Sequence, residues 1–255
     1  MPSDVTLDLS DRVAVVTGGS SELGRVMVRT LARCGAKVAF TYLNGQDRAD
    51  RLTAELRGQG HTALAVRTDV TQQADVEALR KRVAGELGDA DIVVSNAVIV
   101  YPWTMVLEQP LADYESQFRS CVLQNVLIAK SFVPAMIAKG RGRLIGINTE
   151  CTMQCKVIQS AYVSGKGGMD RLLRVLAKEV GPHGITVNQV APGWTVSETR
   201  PAAGRSEDYL NAVPLKRWGT DQDIANAVAF LASDLAAYIT GAYLAVCGGN
   251  VMPAI

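Results

Sequence analysis

The sequence predicts an α/β fold: one doubly wound domain, with a seven-stranded parallel sheet and helices on both faces. Three observations carry this. Short runs of Val, Ile, Ala and Leu alternate with longer amphipathic stretches along the whole 255-residue chain. Most of those runs are apolar without interruption, as parallel strands covered on both faces must be. No repeat, low-complexity tract or Pro/Gly-rich linker divides the chain, so residues 1–255 are expected to form a single domain.

The strands are predicted at Val13–Thr17, Lys37–Tyr42, Ala63–Arg67, Ile92–Ser95, Leu144–Asn148, Thr186–Val190 and Tyr243–Val246. Between them lie helical patterns. Val76, Leu79, Val83 and Leu87 keep a three-to-four spacing, and so do Met169, Leu172, Leu173, Leu176 and Val180. A helix expected over Ser116–Ala138 is apolar along much of its length, which suits packing against both the sheet and another subunit. In a doubly wound sheet the ligand lies in the crevice outside the carboxyl ends of the strands, so the residues just after each strand hold the chemistry.

Composition narrows the function. Basic and acidic residues number 26 and 25, which argues against a nucleic-acid surface or an anionic membrane patch. The Met1–Asp11 segment lacks the apolar centre of a signal peptide, and no uninterrupted apolar run reaches bilayer length; a soluble, cytoplasmic protein is expected. Five scattered cysteines do not form a disulfide framework. Cys151 and Cys155 stand alone as a C-x-x-x-C, and the histidines are only His61 and His183, so no metal site is expected.

Two motifs point to chemistry. After the first strand, Thr17-Gly18-Gly19-Ser20-Ser21-Glu22-Leu23-Gly24 opens directly into a helix. A turn of this kind lets backbone N–H groups approach a pyrophosphate at the positive end of a helix. Later comes Tyr162-Val163-Ser164-Gly165-Lys166, with Thr149 thirteen residues before the tyrosine. Four-residue spacing on a helix puts phenol and ammonium on one face. The ammonium is expected to favour phenolate and make the tyrosine a competent proton donor near neutral pH.

With these motifs the chain resembles the short-chain dehydrogenase/reductase family, most closely its 3-oxoacyl-acyl-carrier-protein reductase branch. The resemblance runs from Asp11 to Gly249. Its further markers are Asp69-Val70, Asn96-Ala97, Asn188, Pro192-Gly193, Asp223-Ile224-Ala225, Tyr238-Ile239-Thr240-Gly241 and Gly248-Gly249. It implies a Rossmann-type domain in which Tyr162 gives the proton to a substrate oxygen as hydride arrives from a nicotinamide. Lys166 would hold the ribose hydroxyls and lower the tyrosine pKa, and Thr149 would stand for the family's substrate-orienting serine. By the same resemblance Gly18, Ser20, Ser21, Glu22 and Leu23 form the phosphate loop. Asp69 and Val70 meet the adenine, Asn96 and Ala97 line the ribose, and Pro192, Gly193 and Thr195 face the nicotinamide amide.

Three departures from the family pattern stand out. Glu22 replaces the second loop glycine, and a carboxylate there is expected to weaken pyrophosphate binding unless it points to solvent. Cys121 replaces an asparagine that helps hold a water beside the lysine, and counts among the expected catalytic positions. Ser95 and Val98 flank Asn96-Ala97 where asparagine and glycine are usual.

At the end of the second strand an acidic residue would bond the 2′-hydroxyl of NAD and repel the phosphate of NADP. Here stand Tyr42, Leu43, Asn44 and Gly45, and Asn44 or Arg48 is placed to meet a 2′-phosphate. NADP(H) is favoured, with NAD(H) open. Tyr101, Trp103, Met105, Met153 and Trp194 are expected to wall an apolar pocket for a small or acyl-type carbonyl, under a lid at about 194–215. Trp103 and Trp218 have packing as their alternative role. The resemblance implies a homo-oligomer, commonly a tetramer, and the apolar Val251–Ile255 end suits a covered position. Two other readings stay open: a scaffold used as a binding module, and a redirected enzyme that works without hydride transfer.

Overall fold

The computed structural model of the protein describes residues 7–197, 199–203 and 207–252. Parts of the expected lid (198 and 204–206) and of the C-terminal apolar segment (253–255) lie outside the described residues.

Seven parallel strands form the central sheet. They are β1 (Val13–Val16), β2 (Lys37–Tyr42), β3 (Ala63–Arg67), β4 (Ile92–Ser95), β5 (Gly142–Ile147), β6 (Ile185–Pro192) and β9 (Tyr243–Val246). Their order across the sheet is β3-β2-β1-β4-β5-β6-β9. Four have the predicted bounds. β1 stops one residue early: Thr17 N–H still donates to Val94 O at 2.9 Å, but its hydroxyl forms the polar floor of the phosphate loop. β5 and β6 start earlier than predicted, since pairing begins at Gly142↔Ile185. β5 ends before Asn148, whose side chain is needed for a turn. A second, two-stranded sheet pairs β7 (Thr195–Val196) with β8 (Gly219–Thr220); strands of two residues leave no periodic signature in the sequence.

Side chains alternate across the sheet and both faces are buried. Ala14 and Val16 join one apolar layer with Met27, Val28 and Leu31 of α1 (Glu22–Arg33) and with Ile224, Val228 and Leu231 of α9 (Asp221–Ala232). Val13 and Val15 join the opposite layer, with Leu79 of α3 (Gln73–Glu86), Phe132 of α5 (Gln124–Lys139) and Met169 and Leu173 of α7 (Ser160–Val180). Each fully buried side chain of this size contributes roughly 1.5–3 kcal/mol. This explains why the strands read as continuous apolar runs rather than alternating ones. The remaining helices are α2 (Gln46–Gly58), α4 (Leu111–Gln117), the short α6 (Cys151–Gln154) and α8 (Glu207–Ala212).

The helix expected at Ser116–Ala138 is longer. It starts at Leu111, right after Pro110, and α4 runs through a π-helical turn at Phe118–Leu123 into α5. This 29-residue stretch is long and apolar enough, by length and composition, to cross a membrane. In the fold its inner face buries Gln117, Gln124 and Asn125 together with Ile128, Phe132 and Met136. The π turn packs against α7, the helix that carries Tyr162 and Lys166. That helix also lies very close to β5. A Cβ on Gly146 would sit 2.5 Å from Leu173 and 2.6 Å from Met169, so glycine there sets the depth at which α7 rests.

The Asp223 marker of the C-terminal region is a helix cap. Thr220 and Asp223 form a reciprocal capping box at the start of α9. Arg217 donates to both Asp223 oxygens at 2.7 and 2.9 Å, and this ion pair pulls the carboxyl down to about 2.

Candidate active site

The chain leaves β1 for β2 and β3, then crosses back to β4 on the other side of β1. At this switch point the carboxyl ends of the strands part and leave a cleft of about 880 Å³. Every residue assigned to the cofactor from sequence lines it: Gly18, Ser20, Ser21, Glu22, Leu23, Tyr42, Asn44, Asp69, Val70, Asn96, Ala97, Tyr162, Lys166, Pro192, Gly193 and Thr195. Thr149 lines it as well.

The phosphate loop is held by polar groups behind it. Gly18 N–H donates to Thr41 Oγ1 at 3.0 Å, and Gly19 N–H to Thr41 O at 2.9 Å. The Thr17 hydroxyl accepts from the N–H groups of Asn96 and Ala97 at 2.9 and 3.0 Å. The Asn96 amide donates to Thr17 O at 2.9 Å and Gly18 O at 3.2 Å, so this side chain braces the loop as well as lining the cleft. Ser21 caps α1, accepting from Gly24 N–H at 3.2 Å. The helix therefore presents its positive end to the cleft over a pre-formed turn.

Glu22 is turned by its neighbours. Ser197 Oγ donates to its Oε2 at 2.5 Å, and Arg25 Nη2 stands 3.6 Å away. Burial opposes ionisation, but the Ser197 and Thr199 hydroxyls, with Arg25 and Arg200, outweigh it and hold the carboxyl below its ordinary value. One oxygen of the carboxylate is thus engaged by the substrate-side segment, neither pointed to solvent nor left bare against the loop.

Just past the carboxyl end of β2, Arg48 lies with its guanidinium over Gly45, and lines the cleft beside Asn44. Asp69 accepts from Thr71 N–H at 2.9 Å and from the Thr71 hydroxyl at 2.7 Å through one oxygen.

β5 and α7 bring Thr149, Tyr162 and Lys166 together. The Thr149 N–H donates to Asn148 Oδ1 at 2.9 Å, and the Thr149 hydroxyl accepts from Cys151 N–H at 3.2 Å on the same cleft wall as Tyr162. Lys166 is buried; its Nζ donates to Ile147 O at 2.6 Å and lies 5.9 Å from the centre of the Tyr162 ring. The expected depression of the tyrosine pKa is not found. Burial pushes Tyr162 well above its ordinary value, with Cys151 adding to the rise and the Thr149 side chain opposing it. Burial likewise pulls the Lys166 ammonium down. Spacing on a helix sets the two groups on one face, but Nζ is directed at the Ile147 carbonyl rather than at the phenol oxygen. Such a tyrosine is firmly protonated, and so holds a proton it can give.

Cys121 does not line the cleft. It is wholly buried under α7, with its thiol donating to Gln117 Oε1 at 3.8 Å. Its neighbour Ser120 lines the cleft instead, with a buried hydroxyl. On the substrate side, Trp103 stacks on Tyr162 at 5.7 Å between ring centres. Of the expected aromatic and methionine walls, Trp103 and Trp194 line the cleft, whereas Tyr101, Met105 and Met153 do not; Val98, Ile99, Val100 and Cys151 complete that half. Trp194, Tyr209 and Trp218 form a stack, with Tyr209 5.0 Å from Trp218, so Trp218 has the packing role. Tyr209 also accepts from Trp194 N–H at 2.8 Å. Sequence reasoning missed Ser120, Cys151 and Tyr243, which approach the site only through tertiary packing.

Comparison with known proteins agrees with this geometry. Residues 18–250 match the protein family described as Enoyl-(Acyl carrier protein) reductase. The 3-oxoacyl-(acyl-carrier-protein) reductase FabG of Staphylococcus epidermidis is 32% identical over 244 residues, spanning 95% of this chain and 100% of the relative. Among solved structures, a blue fluorescent protein from a metagenomic library, in complex with NADPH, superposes with a TM-score of 0.89 at 34% identity, covering 96% of this chain and 100% of that one. A double mutant of a Serratia marcescens short-chain dehydrogenase/reductase gives a TM-score of 0.88 at 32% identity, over 95% of this chain and 98% of that one.

Proposed function

This chain belongs to the short-chain dehydrogenase/reductase family, and from that premise we propose that it is an NADPH-dependent reductase of an apolar carbonyl compound. The observation that carries the reading is the meeting of two constellations in one cleft. A pre-formed phosphate loop lies at one end, and Thr149, Tyr162 and Lys166 lie at the other.

The residues present fit a dinucleotide. Gly24 packs so tightly under the loop that a Cβ would stand 2.2 Å from Gly18 O, which keeps the turn closed at the positive end of α1. When bound, the nicotinamide supplies a hydride for the substrate carbonyl carbon. The protein's part is to place that carbonyl and protonate its oxygen. Thr149 donates a hydrogen bond to the oxygen, and Tyr162, kept protonated by burial, passes its proton to it. Lys166 orients the ribose and lends positive charge near the phenolate left behind. A largely apolar substrate half, lined by Val98, Ile99, Val100, Trp103, Cys151 and Trp194, with Arg200 beside them paired to Asp221 at 3.2 Å, supports an apolar ketone. The FabG relative acts on a 3-oxoacyl group by its name, and an acyl chain of that kind suits such walls. Segment 194–215 is read as the cover of this half. Exposed Phe118, Leu123 and Ile137 on the long helix support a homo-oligomer.

Selectivity for NADPH is assigned to Arg48 with Asn44. Residues 42–45 carry no carboxylate to repel a 2′-phosphate. Titration following nicotinamide fluorescence is expected to show micromolar binding of NADPH and weaker binding of NADH. Arg48→Ala should weaken NADPH about tenfold, the equivalent of one charge-assisted bond, and leave NADH nearly unchanged. Equal losses for both cofactors would remove Arg48 from the 2′ site.

A further inference from the structure

We infer that Tyr243, on the edge strand β9, is a positioning residue for catalysis, acting through the backbone of Thr149. This rests on the functional reading above. Tyr243 lies behind the cleft and does not line it. Its hydroxyl donates to Thr149 O at 2.5 Å, touches Thr152 Oγ1, and lies 3.5 Å from Asn148 Oδ1.

Counting protons fixes the direction of these bonds. The phenol and the Thr152 hydroxyl hold one proton each. Thr152 Oγ1 is also 2.9 Å from Thr149 O. If both hydroxyls donated to that carbonyl, their two oxygens would press together with no proton between them. When Thr152 donates to Tyr243 and Tyr243 donates to Thr149 O, both short contacts hold a proton. The chain therefore runs Thr152 to Tyr243 to Thr149 O.

The Thr149 peptide is thus gripped on both sides. Its N–H is held by Asn148 Oδ1 at 2.9 Å, and its C=O by Tyr243. Asn148 is itself anchored, donating to Gln189 Oε1 at 2.7 Å and Lys166 O at 3.1 Å. The hydroxyl placed by this peptide lines the same cleft as Tyr162. Asn148 ties Thr149 to β6 and α7, and Tyr243 ties it to the far edge of the sheet through the Gln189↔Tyr243 register. Without the phenol, Thr149 O is left with the Thr152 N–H at 3.4 Å and the Thr152 hydroxyl at 2.9 Å, both of which sit on the same turn and move with it.

The test is Tyr243→Phe, which keeps the ring and its packing, alone and in a Thr149→Ala background. Turnover is followed as NADPH oxidation with a panel of 3-oxo esters and aryl ketones. For the single variant kcat is expected to fall roughly 10- to 100-fold, the cost of misplacing a reacting group by about an ångström, with NADPH affinity unchanged. In the Thr149→Ala background the same change is expected to cost nothing further, because the group it positions is gone. Thr152→Val should give a smaller loss of the same kind. A single-variant kcat within about twofold of wild type overturns the inference. So does an equal loss in the Thr149→Ala background, or loss of NADPH binding, since either makes the hydroxyl a support of the fold. Failure of the parent reading looks different: wild type would then reduce none of the ketones, or Tyr162→Phe would retain turnover.

Discussion

Tyr162→Phe is expected to lower kcat for ketone reduction by roughly 10³-fold, the scale of losing a positioned general acid, while NADPH affinity and thermal stability stay close to wild type. Phenylalanine keeps the ring that stacks on Trp103 and lies 5.9 Å from the Lys166 ammonium, so the walls of the cleft are preserved. What disappears is the proton. The neighbouring donors do not replace it. Thr149 is a hydroxyl of far lower acidity than a phenol, and the Lys166 Nζ is directed at Ile147 O, 2.6 Å away, rather than at the phenol oxygen. Steady-state kinetics with NADPH beside a fluorescence titration separates chemistry from binding. Turnover retained within about tenfold would show that another group supplies the proton.

Gly24→Ala is expected to be the most damaging change at the cofactor end. An added Cβ would meet Gly18 O at 2.2 Å, Ser21 Oγ at 2.8 Å and Gly19 Cα at 2.9 Å. Two of those three atoms are backbone and cannot swing away, so the turn itself must open. Overpacking of this kind costs about 1–3 kcal/mol of stability, and it distorts the turn proposed to hold the pyrophosphate. NADPH affinity should fall by about two orders of magnitude, the loss of two converging hydrogen bonds to an anion. Gly85→Ala in α3 is the control, because an added methyl there would have nothing within 4 Å; it should leave binding intact and stability equal or higher. Calorimetric titration and urea unfolding of both variants decide the matter. Normal NADPH binding by Gly24→Ala would mean that the loop does not hold the pyrophosphate.

Much of this was legible in the sequence, for identifiable reasons. Parallel strands buried on both faces leave unbroken apolar runs, and β2, β3, β4 and β9 were bounded to the residue. Strand ends drifted where a polar side chain serves another task, as the Thr17 hydroxyl does for the Asn96 and Ala97 amides. The residues that the family resemblance assigns to the cofactor line one cleft, because a doubly wound sheet brings its strand ends to one crevice.

What stayed hidden depends on tertiary surroundings. The spacing of Tyr162 and Lys166 reports that they share a helix face, but not that burial governs the phenol while the ammonium turns to Ile147 O. Glu22 read as a repulsive charge, because its partner Ser197 is far away in the chain. Cys121 looked catalytic by position, yet the π-helical turn at Phe118–Leu123 buries it and presents Ser120 to the cleft. Tyr243 carried no local signal at all, being one aromatic residue in an edge strand.

The most direct test of the central claim is the fate of the hydride. The protein is incubated with NADPH deuterated at the transferable C4 position and with ketones from the same panel, and the alcohol product is examined by mass spectrometry. One deuterium on the carbinol carbon, matched mole for mole by oxidised cofactor, is the expected result. Product formed without deuterium, or tight NADPH binding with no alcohol from any ketone, would contradict a reductase and leave a scaffold turned to other work.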